Sequence, residues 1–134
     1  MRLIQMSETK TTPSVLIIED DPTTHSMLSN LLARLNISAE IAKDGNEART
    51  ILSNQTYDLV FMDINLPGAS GLELCSELRS KEKGAAKRTL IVALTGMDSP
   101  DARKICLDAG MDGYFSKPID RLKIHGFVKN LFKL

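Results

Sequence analysis

The chain has 134 residues, 43% of them hydrophobic and 25% charged, a balance that fits one soluble domain with a sizeable core. Its 17 basic residues match its 17 acidic ones, so no broad field favours direct contact with nucleic acid or an anionic membrane. No apolar stretch approaches the roughly 20 residues of a membrane span, and Cys75 and Cys106 lack the spacing of a zinc site or redox pair, reading instead as thiols of a reducing cytoplasm.

Residues 1–13 are polar apart from Met1, Leu3, Ile4 and Met6 and lack the continuous apolar core of a signal peptide, so a flexible leader is expected there, with the domain over 14–134. Val15–Glu19 predicts a short buried strand. Asp21 can cap the helix that follows, and Pro22 suits its first position. Met27, Leu28, Leu31, Leu32 and Leu35 then form one apolar stripe. Ser38–Ala42 is a weaker strand near an edge, Asp44-Gly45 a turn, and Ala48, Ile51 and Leu52 stripe a second helix. Asp58–Met62 is so continuously apolar that helices are expected on both faces of its sheet. Leu72–Lys81 is a third helix with Leu74, Cys75 and Leu78 inward, and Lys83–Arg88 a charged loop. Leu90–Leu94 is a fourth strand, Ser99-Pro100 opens a helix that stops at Gly110, and Gly113–Ser116 is a fifth strand. The last helix starts near Asp120 and turns Ile124, Phe127, Val128 and Leu131 inward. Five strand–helix alternations predict a single α/β domain with a five-stranded parallel sheet and right-handed crossovers.

The strand ends carry the chemistry. Glu19-Asp20-Asp21 follows the first strand, Asp63 the third, Thr95 the fourth and Lys117-Pro118 the fifth. Open α/β sheets bind ligands at that carboxyl edge. Two carboxylates 4 Å apart repel by roughly 4 kcal/mol at an effective dielectric near 20, so the acids must hold extra protons or bind a cation. Oxygen donors with room for water suit Mg²⁺, and the absence of His or Cys from the cluster disfavours zinc. A carboxylate beside such a cation can attack phosphorus, with metal and lysine neutralising the transferring oxygens. Alone, Thr95 reads as a hydroxyl bonding its own backbone, and Glu19 and Asp20 as loop acids or caps.

Taken together, Ile18-Glu19-Asp20-Asp21-Pro22, Phe61-Met62-Asp63-Ile64-Asn65-Leu66-Pro67-Gly68, Ala93-Leu94-Thr95-Gly96 and Phe115-Ser116-Lys117-Pro118 resemble the receiver domain of two-component response regulators, from about Ser14 to Leu134. The resemblance implies a doubly wound (βα)5, flavodoxin-like fold. It makes Asp63 the acceptor of a phosphoryl group from a phosphohistidine. Glu19, Asp20 and Asp63 would hold Mg²⁺, with Asp20 the more direct ligand of the acidic pair and Asn65 adding its backbone carbonyl. Thr95 would be the switch hydroxyl, Lys117 the family's lysine, and Tyr114 either a switch aromatic that turns inward or simply a packed ring. The pair begins with Glu, and Gly96 stands where Ala is commoner. Ala93-Leu94-Thr95-Gly96 and Asp108-Ala109-Gly110-Met111-Asp112-Gly113-Tyr114 look most like receivers of hybrid kinases and phosphorelays.

The implied partners are a histidine kinase or a histidine-containing phosphotransfer domain, and a downstream protein or second copy at the face of the fourth helix, fifth strand and fifth helix. The competing readings are a receiver that docks without phosphorylation and a Mg²⁺-dependent phosphatase of haloacid-dehalogenase type, which needs an acid where Asn65 stands. A nucleotide site is discarded, because acids replace the glycine-rich turn after the first strand. His25 is expected to be exposed without a function, and His125 to lie on a solvated face. Asn65 and Met97 flank the site at positions that govern water access in the family. Met97→Glu is accordingly expected to speed loss of the phosphoryl group, followed as decay of the phosphorylated mass; an unchanged rate rejects shielding by Met97.

Overall fold

The computed structural model describes residues 12–96 and 99–134; residues 1–11 of the expected leader, and Met97, lie outside them. Strand β1 (Val15–Ile18) pairs in parallel with both β2 (Ala39–Ala42) and β3 (Leu59–Asp63). Next come β4 (Leu90–Thr95) and β5 (Gly113–Ser116), giving the order β2-β1-β3-β4-β5 with β2 at one edge. This is the flavodoxin-like doubly wound order, in which the chain reverses direction across the sheet between β1 and β3.

Alternation along the strands sorts the core into two layers. Leu16, Ile18, Val60, Met62, Ile91 and Ala93 face one side. They meet Ala48 of α2 (Gly45–Asn54), Leu74, Cys75 and Leu78 of α3 (Gly71–Lys81), and Cys106 of α4 (Pro100–Asp108). Val15, Ile17, Leu59, Phe61, Val92 and Leu94 face the other, under Leu28, Leu31 and Leu32 of α1 (Pro22–Arg34) and Ile124 and Val128 of α5 (Arg121–Phe132). Both faces of the central strands are covered, as their unbroken apolar runs require. Each helix begins on a side-chain cap: Asp21, Asp44, Ser70, Ser99 and Asp120 accept from backbone N–H groups of their first turns. Such caps contribute about 1 kcal/mol each.

Several expectations shift by a residue for local reasons. Asp58 stays out of β3 because its carboxylate accepts from Ser14 N at 2.8 Å and pairs with Lys87, whereas Asp63 continues the ladder opposite Leu94. Gly45 is the first residue of α2 rather than part of a turn, since Asp44 caps the helix. Gly71 likewise opens α3 after its cap Ser70. Between β3 and α3 the chain makes a two-strand ribbon, Asn65–Leu66 against Ala69–Ser70, around Pro67 and a Gly68 at φ +78°. Proline followed by a positive-φ glycine is the signature of a type II turn.

Of the two histidines, His25 departs from expectation. His25 is buried, 9% exposed, because it continues the Leu28 and Leu32 stripe of α1 one turn back; its Nδ1 has no hydrogen-bond partner among the described residues. His125 is half-buried and lines a groove between α1 and α5. At the end of the sheet remote from the acids, Arg79 of α3 donates to Gly110 O at 2.9 Å, Thr89 O at 2.7 Å, Glu82 at 2.7 Å and Asp112 at 2.8 Å. Gly110, at φ +104°, leaves the space in which the Arg79 stem lies.

Gly71 packs against the backbone behind Asp63: a Cβ there would sit 2.3 Å from Asp63 O and 2.9 Å from Ile64 Cα. Gly126 in α5 has nothing within 4 Å of an added Cβ. Gly71→Ala is therefore expected to cost about 1–3 kcal/mol, and Gly126→Ala to stabilise by up to about 1 kcal/mol. Urea unfolding midpoints measure both, and the reverse order rejects the packing argument.

Candidate functional site

Ile18 of β1 is level with Met62 of β3, so the next residues, Glu19 and Asp63, stand side by side at the carboxyl edge of the sheet. One carboxylate oxygen each from Glu19, Asp20 and Asp63 lies within 4.8 Å of the others. Glu19 is fully buried and Asp63 is 4% exposed, while Asp20 faces solvent. The strand end is thus exposed as expected, but Asp63 itself is sunk beneath its neighbours. Three formal negative charges at this spacing need compensation.

Lys117 supplies it. Its Nζ lies 2.8 Å from Glu19 Oε1 and 3.2 Å from Asp63 Oδ2. The register delivers it there: Thr95 pairs with Ser116 across β4 and β5, and Lys117 N donates to Thr95 O at 2.7 Å. The Lys117–Pro118 peptide is cis. Burial pulls the ammonium towards neutrality, but its bonds and charge pairing with Glu19 and Asp63 outweigh that and hold its pKa above the ordinary lysine value. Burial raises the Glu19 pKa, and the opposing bonds from Lys117 and the Asp21 N–H do not cancel it.

The remaining polar groups fix the carboxylates. Asp21 N donates to Glu19 Oε2 at 3.0 Å, while the Asp21 side chain caps α1. Asn65 N donates to Asp63 Oδ1 at 3.0 Å. This bond from residue i+2 to an aspartate side chain is an Asx turn, legible in Asp63-Ile64-Asn65 but not among the roles expected of Asn65, a metal-binding carbonyl and a control on water access. Thr95 is buried at the end of β4, one residue beyond the Leu94 that pairs with Asp63. Tyr114 stands level with Ala93 and belongs to the α4 flank: Arg103 stacks 5.3 Å from its ring centroid and donates to its hydroxyl at 3.1 Å. Glu19, Asp20, Asp63 and Lys117 therefore form the centre, Asn65 and Thr95 border it, and Tyr114 lies on the wall beside it.

Lys117 leaves two of the three formal negative charges uncancelled, the deficit a divalent cation would meet. The donors are hard oxygens, solvent reaches Asp20, and no His or Cys joins the group among the described residues. The residues fit a cation that retains water.

An acid-lined crevice, braced by one lysine at the reversal point of a flavodoxin-like sheet, defines the class of domain. The model of the response regulator receiver domain matches residues 15–129, and the chain belongs to that family. It is 36% identical over 120 residues to the aerobic respiration control protein ArcA of Escherichia coli (strain K12), covering 90% of this chain and 48% of that protein. It is 38% identical over 120 residues to the hybrid signal transduction histidine kinase G of Dictyostelium discoideum, covering 88% of this chain and 3% of the kinase. The chain thus spans about half the length of ArcA and a small part of the hybrid kinase. Among solved structures, the Francisella response regulator 1452 receiver domain superposes with a TM-score of 0.82 at 26% identity, covering 91% of this chain and 98% of that one. The receiver domain of the TMAO respiratory system response regulator TorR gives 0.78 at 30% identity, with 90% and 97% covered. No helix among the described residues is long and apolar enough to cross a membrane.

Removing the Lys117 charge leaves the buried carboxylates of Glu19 and Asp63 without their counter-ion. Lys117→Met is expected to lower stability at neutral pH by about 3 kcal/mol, the scale for breaking one side of a buried pair. Lys117 is among the groups that lower the Glu19 pKa against its burial, so without it the folded variant binds that proton more readily than the folded parent does. Stability of the variant, relative to the parent, should therefore recover as pH falls through the raised Glu19 value towards the ordinary carboxylate range. Urea midpoints across pH measure this, and a pH-independent deficit rejects it.

Proposed function

We propose that this receiver domain takes a phosphoryl group from a phosphohistidine onto Asp63, and that the modified crevice changes which partner the domain binds. The observation that carries this reading is the half-buried Lys117 bridge between the buried carboxylates of Glu19 and Asp63. It brings a cation to the carboxylate placed to attack, where charge on the transferring oxygens must be neutralised. The Asn65 N–H holds Asp63 Oδ1, leaving Oδ2, the oxygen that faces Lys117, as the nucleophile. Attack breaks the phosphorus–nitrogen bond of the donor and forms an acyl phosphate on Asp63.

Asp20, Asp63 and the Asn65 carbonyl are the proposed direct ligands of Mg²⁺, with Glu19 completing the acidic set. When bound, Mg²⁺ supplies charge neutralisation to the phosphoryl oxygens. Thr95 is proposed to bond a phosphoryl oxygen, and Tyr114 to follow it inward by releasing Arg103. Asn65 and Met97 would set the lifetime of the modification through water access. The donor is a histidine kinase or a histidine-containing phosphotransfer domain. The receiving surface is the flank of α4, β5 and α5, where Leu107 is exposed beside Arg103 and Tyr114. A downstream protein or a second copy docks there, in the cytoplasm. The domain turns over only its own phosphoryl group.

Incubation with acetyl phosphate and Mg²⁺ is expected to add one phosphoryl mass to the parent and none to Asp63→Ala, with no addition when metal is chelated. A parent that stays unmodified under every condition favours a receiver that docks without phosphorylation. Sustained hydrolysis of a generic phosphate ester would favour the phosphatase.

A further inference from the structure

The acidic pair Glu19-Asp20 runs directly into a third acid, Asp21, which does not join the carboxylate cluster. Its carboxylate caps α1 instead: Oδ2 accepts from Thr24 N at 3.0 Å and from the Thr24 hydroxyl at 2.7 Å. Its backbone carbonyl accepts from His25 N at 3.0 Å. Pro22 comes next, and a residue before proline is held to extended backbone. Asp21 lies there, at φ −75° and ψ 117°. Side chain, carbonyl and the following ring thus all fix one exposed residue. What remains of Asp21 is its N–H, and Glu19 Oε2 accepts that at 3.0 Å.

This bond closes a ring around Asp20. It runs from the side chain of one acid to the amide two residues on, so it holds the backbone from which the exposed Asp20 carboxylate projects. Glu19 itself is fully buried, and its Oε1 meets Lys117 Nζ at 2.8 Å. That partner sits at the end of a flexible four-carbon stem, so the rigid restraint on the Glu19 carboxylate is the Asp21 amide.

We propose that Asp21 is a positioning residue for the cation site, transmitting the rigidity of α1 through its amide to Glu19 and Asp20. The inference rests on the reading of these acids as part of a Mg²⁺ site. Groups behind metal-binding side chains orient them, and losing one typically weakens metal binding by about 10–100-fold. Asp21 acts through geometry and not through charge: the acids need a capped helix at this point, and Asn caps as well as Asp. Coupling between two sites is reciprocal, so a bound cation must in turn steady the first turn of α1.

The test follows backbone amide resonances of the full chain during titration with Mg²⁺. Asp21→Ala should raise the Kd for Mg²⁺ about tenfold, and Asp21→Asn should hold it within about twofold of the parent. Asp44→Ala controls for lost stability. It removes the cap of α2, a bond from Glu47 N at 2.8 Å, and should lower the urea midpoint as Asp21→Ala does while leaving Mg²⁺ affinity unchanged. In the metal-free chain the amide of residue 21 should exchange with solvent faster in Asp21→Ala than in the parent. In the parent, Mg²⁺ should slow exchange of the Thr24 amide. An unchanged Kd in Asp21→Ala, or Thr24 exchange indifferent to Mg²⁺, would overturn the proposal. So would Asp21→Asn binding as weakly as Asp21→Ala, which would make charge the cause, or Asp44→Ala losing as much affinity, which would make any loss of stability sufficient. A parent whose resonances do not respond to Mg²⁺ would overturn the metal reading itself, and the proposal with it.

Discussion

One ammonium group between two buried carboxylates sets the terms for the rest of this domain. Glu19 and Asp63 sit at the ends of adjacent strands, and burying both without a counter-charge would cost several kcal/mol. The counter-charge arrives from the far edge of the sheet, so β3, β4 and β5 must hold their register for Lys117 to reach back across two strand ends. A one-residue slip would send each strand's side chains to the opposite face. The two-layer core guards against this, because neighbouring residues of every central strand are claimed by different helices. Packing and electrostatics thus specify one register for one reason.

The opposite end of the sheet carries the complementary anchor. Arg79 gathers Thr89, Gly110 and Asp112, and Asp112 also accepts from Ile91 N at 2.9 Å. The loops before β4 and before β5 are tied to α3 there, so these strands are held at their amino ends. Their carboxyl ends, where Thr95 and Lys117 emerge, are joined by backbone bonds such as Lys117 N to Thr95 O, and only the charge bridge ties Lys117 on to Glu19 and Asp63. Motion is then expected where the crevice is, since that is where a change of charge can alter the restraint.

Much of this was legible in the chain because buried parallel strands leave an unmistakable mark. Val15–Ile18 and Leu90–Leu94 are continuous apolar runs with a polar residue at their carboxyl ends, so the strands and the functional edge come from the same pattern. Helix stripes such as Leu74, Cys75 and Leu78 were equally readable, and all three are buried. What escaped depends on contacts across the fold. Gly45 looked like a turn residue and Gly71 lay just before the expected start of its helix, yet both open helices; each lies where a Cβ would strike another segment, Ala69 for the first and the Asp63 backbone for the second. His25 has the polarity of a surface residue and the helical position of a core one, and position prevailed. The groove that takes in His125 exists only once α1 and α5 lie together, so no local pattern announces it.

Charge bookkeeping connects the resting crevice to the proposed chemistry. Glu19, Asp20 and Asp63 against Lys117 leave a formal charge of about −2, a difference a divalent cation would cancel. Phosphorylation then replaces the single charge of the Asp63 carboxylate with the roughly −2 of a phosphoryl group, a net gain of about −1, and only mobile positive or hydrogen-donating groups can answer that. Lys117 already lies within reach of Asp63 Oδ2, but following the phosphoryl oxygens means loosening its hold on Glu19. Glu19 is the acid whose pKa burial already raises, so it is the one best able to lose its partner by taking up a proton or a closer share of the metal. On this reading the longer side chain of Glu19 belongs to the switch: its Oε2 stays tied to the Asp21 N–H while its Oε1 gives up the lysine.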